Sequence, residues 1–95
     1  MRYEEHCAIS KQKFGSDYSY VHKWLDAYAR IYGEDHRKFR HNTEGIESVL
    51  NQWGKTAAEA AKLHILQDIG EVISKHEWTL REELERKIYH KRQND

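Results

Sequence analysis

Thr56-Ala57-Ala58-Glu59-Ala60-Ala61-Lys62-Leu63-His64-Ile65-Leu66-Gln67-Asp68-Ile69-Gly70 reads as a single helix with a start and a stop. Thr56-x-x-Glu59 has the form of a capping box, in which each side chain satisfies a free N–H of the first turn. Gly70 suits the position past a helix end, because glycine takes the left-handed conformation without strain. Ala57, Ala61, His64 and Asp68 share one face at steps of three and four. A small-residue face lets a neighbouring backbone come close, which draws the imidazole and the carboxylate inward.

Working outward, the chain has no proline, and glycine supplies the punctuation. Gly15, Gly33, Gly54 and Gly70 are read as helix terminators. A first helix over 3–13 aligns Tyr3, Cys7, Ser10 and Phe14, with His6 at the edge of that face. Ser16 or Asp17 caps a second helix over 18–32, whose stripe is Tyr18, Val21, Leu25, Tyr28, Ala29 and Tyr32. A third over 35–53 faces inward with Phe39, Ile46, Val49, Leu50 and Trp53. Residues 71–75 read as a loop. Thr79-x-x-Glu82 is a second capping box, opening a helix over 79–92 with the narrow stripe Leu80, Leu84 and Ile88, its last residues fraying. The expected fold is all-α: a compact bundle of four to five helices in a single domain over 1–95, with 76–95 a peripheral C-terminal helix. There is no internal repeat or low-complexity tract.

Composition bounds the function. Hydrophobic residues make up 38% and charged residues 34% of 95, so the core is modest. Three Trp, six Tyr and two Phe offset the shortage of aliphatics. Small size makes a homodimer worth expecting. Zero net charge removes any global pull toward nucleic acid, so extended nucleic-acid binding is not expected. A lone cysteine, Cys7, excludes an internal disulfide framework and fits a reducing, cytoplasmic compartment. No apolar N-terminal run marks a secretory signal, and no segment is long enough to span a membrane.

The salient oddity is seven histidines. His22 with Asp26 and His64 with Asp68 repeat the pattern His-x-x-x-Asp, which stacks an imidazole and a carboxylate one turn apart. One such pair is most often an ordinary surface pair. Two on facing helices present two nitrogens and two oxygens, a set that suits a divalent Zn, Mn, Fe or Ni ion. His36 or His6 could complete the shell, and an incomplete shell leaves a position for a water of lowered pKa. His41 projects roughly 140° from His36 on a straight helix. Both reach one site only if that helix is distorted, and Gly45 marks such a distortion or a close approach. Arg37, Lys38, Arg40 and His41 form a basic patch. Its bland reading is a solvated face balanced by Glu44 and Glu47; its functional reading is a grip by Arg37 and Arg40 on a phosphorylated small molecule.

Better-defined motifs are absent. His76-Glu77 has Leu80 where a zincin needs its second His. No Glu-x-x-His occurs, which disfavours a ferritin-like di-iron site. Gly54-Lys55-Thr56 resembles the end of a P-loop, but Val49 stands where the first Gly belongs. The His-Asp dipeptide of HD phosphohydrolases is replaced by Asp35-His36. Cys7 at helical spacing with Tyr3 and Phe14 reads as a small core residue rather than a nucleophile.

Taken together, His6-Cys7, Ser10, Phe14-Gly15, Tyr18, His22 to Trp24, Asp26, His36-Arg37, Arg40-His41, Gly45-Ile46, Trp53-Gly54, His64, Asp68, Gly70 and Trp78 resemble a family of small uncharacterised domains from bacteria, archaea and phages. The resemblance spans most of the chain. The segment after Gly54 departs from it, being short and alanine-rich where relatives carry a longer, strand-like insertion, so no β element is expected there. The family implies no activity; the resemblance strengthens the set of site residues. Two functional expectations follow. One is a domain binding a divalent metal through His22, Asp26, His36, His64 and Asp68, in the form of a metal-dependent hydrolase of a phosphate-containing small molecule. The other is a non-enzymatic interaction module whose His and Asp groups form a structural hydrogen-bond network.

Overall fold

Helix follows helix along the whole chain: α1 (Tyr3–Phe14), α2 (Ser19–Leu25), α3 (Ala29–Tyr32), a 3-10 turn (Gly33–His36), α4 (Arg37–Arg40), α5 (Thr43–Trp53), α6 (Lys55–Ile69) and α7 (Lys75–Asn94). The structure, a computed structural model, describes residues 1–94; for Glu34 and for 89–94 it describes the backbone alone. No strand occurs among the described residues, and the fold is all-α. The expected fraying of the final residues lies outside what is described.

The long alanine-rich helix α6 is the central element. It folds back on α5 at Gly54 and packs on α2 and α1. Ala57, Ala60 and Ala61 are buried at these contacts. The apolar core is Val21, Leu25, Val49, Ala57, Ala61 and Ile65, with Tyr18, Trp24, Ile46, Ile69 and Val72 packed around it. All four expected terminators lie at positive φ. At Gly70 the left-handed residue lets its N–H close on the Leu66 carbonyl, ending α6 immediately after Asp68 and Ile69.

Several expected boundaries move. The helix read over 18–32 breaks after Leu25, because Arg40 donates to the Trp24 carbonyl and holds a turn at residues 26–28. The helix read over 35–53 breaks at His41 and Asn42. Asn42 caps α5 by accepting the Gly45 N–H at 2.7 Å, and Gly45 lies so close to Arg40 that a Cβ there would meet the Arg40 carbonyl oxygen at 1.9 Å. Neither capping box forms as read. α6 starts at Lys55, with Gly54 in the cap position and no side-chain cap. α7 starts at Lys75, four residues early, where Ser74 Oγ accepts the Glu77 N–H. Leu50, Trp53 and Tyr32, read as inward-facing, are exposed. The cap residue of α2 is Tyr18, in the left-handed region, and Asp17 before it accepts the Ser19 N–H.

α7 packs on α4 and leaves the body, which gives the molecule extents of 55 × 24 × 22 Å. Its start clamps the break before α5: Lys75 N–H meets Glu44, and the Trp78 indole donates to the His41 carbonyl. No helix among the described residues is long and apolar enough to cross a membrane.

Candidate metal centre

Imidazole fills much of the interior. His6, His22, His41 and His64 are among the largest fully buried side chains, beside Leu25 and Ile65. A buried polar ring must find partners or cost the fold its desolvation. Here the partners are one another and two carboxylates.

α6 supplies His64 and Asp68 from adjacent turns on the face made approachable by Ala57 and Ala61. The turn after α2 supplies Asp26. The break after α4 supplies His41, whose backbone leaves the helical region at φ −84°, ψ 61°. Five separations among these four groups are short: His64 Nε2 to His41 Nε2 3.1 Å, to Asp26 Oδ1 3.3 Å and to Asp68 Oδ2 3.1 Å; His41 Nε2 to Asp26 Oδ1 3.4 Å and to Asp68 Oδ2 3.3 Å. A tetrahedral ion with ligands at about 2.0–2.1 Å sets its ligand atoms about 3.3–3.4 Å apart. Five of the six edges thus lie near those of such a shell, all four ligand atoms fall within 4.8 Å of one another, and two carboxylates balance the charge of a divalent ion.

A second trio, His6, His22 and His64, is also close. It is unsuited to a metal. Imidazole binds through lone pairs in the ring plane, and these rings lie nearly parallel, His6 over His64 at 3.7 Å and 17°. Parallel stacked rings cannot aim their lone pairs at one point. The His41 and His64 rings are tilted by 63°, as convergence needs.

The remaining histidines hold the four from outside. His64 Nδ1 lies 2.8 Å from His22 Nδ1, and His22 Nε2 lies 2.9 Å from Ser10 Oγ. With His64 Nε2 on an ion, its Nδ1–H donates to His22, and His22 donates onward to Ser10; the network fixes these tautomers. His6 Nε2 meets Asp68 Oδ1 at 3.1 Å, while its Nδ1 meets Gln67. His36 bridges the Gly33 carbonyl to Asp26 Oδ1. Each carboxylate thereby gains an imidazole outside the tetrad. Of the imidazole nitrogens among the described residues, only His41 Nδ1 is buried with no partner.

The electrostatics agree. Burial pushes His22 down, helped by His64 and His6, to about 4, so it stays neutral. Burial opposes the charge on Asp26, but hydrogen bonds from His41 and His64 outweigh it and hold the carboxyl well below its usual range. Asp68 is depressed in the same way, with His41, His6 and His64 outweighing burial. Burial alone would lower His64, yet Asp26 and Asp68 raise it. The field that gathers a proton at His64 Nε2 would equally gather a metal cation.

A model of the family described as "Domain of unknown function (DUF6915)" matches residues 1–88. The chain belongs to the DUF6915 family. Searches of curated proteins and of solved structures give this DUF6915 chain no match. The family description carries no activity, so function rests on the geometry above.

The two His-x-x-x-Asp rows of this DUF6915 domain do face each other across α2 and α6. His64, Asp68 and Asp26 converge directly, and His22 and His36 touch them from one bond further out. His41 was outside the predicted ligand set, and His6 entered it only as an alternative to His36. His41 was misplaced by assuming a straight helix, and Gly45 was the signal of the break. Arg37 and Arg40 lie elsewhere. Arg40 is occupied by the Trp24 carbonyl and stacks on the Trp24 and Tyr28 rings at 4.1 and 4.8 Å. Arg37 Nε is buried and has no hydrogen-bond partner among the described residues.

Proposed function

We propose that this domain binds one divalent transition-metal ion, zinc first, through Asp26, His41, His64 and Asp68. The spacing of the four donor atoms carries the reading. Imidazole and carboxylate also accept Mn, Fe or Ni. His22, His36 and His6 act as outer partners that orient the ligands. Because the interior is largely imidazole, metal binding contributes folding free energy directly. Elemental analysis of protein purified without an affinity tag should find one equivalent of metal, and chelator should lower Tm by several degrees. Metal-free protein whose Tm ignores both chelator and added zinc would overturn the reading.

A finer form makes the centre hydrolytic toward a phosphate-containing small molecule, which requires the four-donor shell to take a fifth ligand or to exchange Asp26 for water. Asp26 supports it: its side chain is 28% exposed, against 6% or less for the other three, so solvent meets the tetrad there. Metal-dependent release of phosphate from p-nitrophenyl phosphate, lost on Asp26→Ala, tests this form.

A second reading keeps the same groups as a hydrogen-bond network within an interaction module. It is favoured by the fact that three of the five tetrad separations are also hydrogen bonds: His64 with His41, His64 with Asp26 and His41 with Asp68. The elemental analysis separates the two.

A further inference from the structure

α7 carries its apolar side chains on the wrong face for its own body. Leu80, Leu84 and Ile88 are 45%, 58% and 46% exposed, whereas Trp78 and Glu82, on the opposite side of the helix, contact the break before α5 and α4. The three fall at i, i+4 and i+8, a narrow seam about 12 Å long on a helix that projects from the molecule. Polar residues border this seam, with Lys87 and Glu83 toward one flank and Arg81 and Glu85 toward the other.

We propose that this seam pairs with the same seam of a second copy, the two α7 helices running antiparallel about Leu84. The register follows from the spacing. Leu84 meets Leu84 of the other copy, and Leu80 meets Ile88 in both directions. Antiparallel helices bring like flanks together. Lys87 of each copy then lies beside Glu83 of the other, whereas Arg81 on the opposite flank is already paired within its own chain with Glu71 and Glu77, so the Lys87–Glu83 pairing carries the complementarity. That complementarity selects a second copy over an unrelated apolar helix. A parallel pair would instead place Lys87 beside Glu85 of the other copy, so recovery in the variant mixture below also reports direction. Three apolar layers are few for a stable interface, so the dimer is weak, with a dissociation constant on the order of micromolar.

Sedimentation equilibrium of the full chain tests this, with and without chelator so that it stands apart from the metal reading. A monomer–dimer equilibrium is expected. Leu84→Glu should abolish dimerisation and leave the circular dichroism unchanged. Lys87→Glu and Glu83→Lys should each weaken self-association about tenfold, and their equimolar mixture should form heterodimers at wild-type strength. The mixture matters because Glu83 and Lys87 also stand at i, i+4 in one helix; mixing leaves that local pairing of each variant unchanged. A wild-type chain that stays monomeric to millimolar concentration overturns the proposal. So does a dimer insensitive to Leu84→Glu, or a mixture no tighter than either variant alone.

Discussion

Asp68 is the most heavily used residue of the centre. One oxygen faces His6 and the other faces His41 and His64. His22 touches no carboxylate, yet it decides which nitrogen of His64 is free to bind. His22→Leu removes the acceptor for His64 Nδ1–H and leaves that proton buried. Outer-partner losses of this kind typically cost about 10–100-fold in metal affinity. We expect His22→Leu to weaken zinc binding by that factor in a competitive chelator titration, with stoichiometry kept at one. Asp26, His64 and Asp68 were readable from spacing because i, i+4 is a property of the helix itself. His6 was placed at the edge of its helix face, besides being a candidate to complete the shell, for a physical reason. Periodicity counts apolar residues to find the inward face, and in α1 the buried residues are His6 and Ser10. Where polar groups form the interior, the usual inside-outside signal points the wrong way.

At the scale of elements, the decisive event is the break between α4 and α5. Asn42 caps the second helix, Gly45 lets it abut the Arg40 carbonyl, and His41 is thrown inward between them. The neighbour at 1.9 Å is backbone, which cannot turn aside like a side chain. Gly45→Ala should therefore cost about 2–3 kcal/mol or more despite the better helix propensity of alanine. It should also displace His41. Urea denaturation and metal content measured on the same variant check both effects. The sequence announced an irregularity here but not its form, because the break depends on Arg40 reaching Trp24 and on α7 clamping Glu44 and His41. Such long-range contacts leave no local pattern. α6 was legible because its alanines, its terminal glycine and its His/Asp row all agree; only its first residue moved.

For the whole molecule, stability is tied to the charge state of its interior. His22 has a folded pKa of about 4, below its ordinary 6.5. The unfolded chain therefore binds the extra proton more readily between those values, and stability falls as pH drops through that window. Below about pH 4 the loss from this group levels off, at roughly 3 kcal/mol by linkage. Asp26 and Asp68, both depressed, add losses at lower pH still, as they are forced to protonate. His64, raised, works the other way: its contribution is full below its ordinary pKa and is lost as pH rises through its folded value. Metal-stripped protein should thus show a urea midpoint that declines steadily from pH 6.5 to 4. A midpoint flat across that range would show that His22 is not held neutral.

The four donors come from positions 26, 41, 64 and 68, and only the last two are neighbours along the chain. His64 must find His41 across 23 residues and Asp26 across 38. An extended chain offers an ion a single two-toothed grip, so capture has to wait for collapse. Loading should then be gated by brief openings of an already assembled molecule, and the rate of uptake becomes a clock for how often the interior breathes.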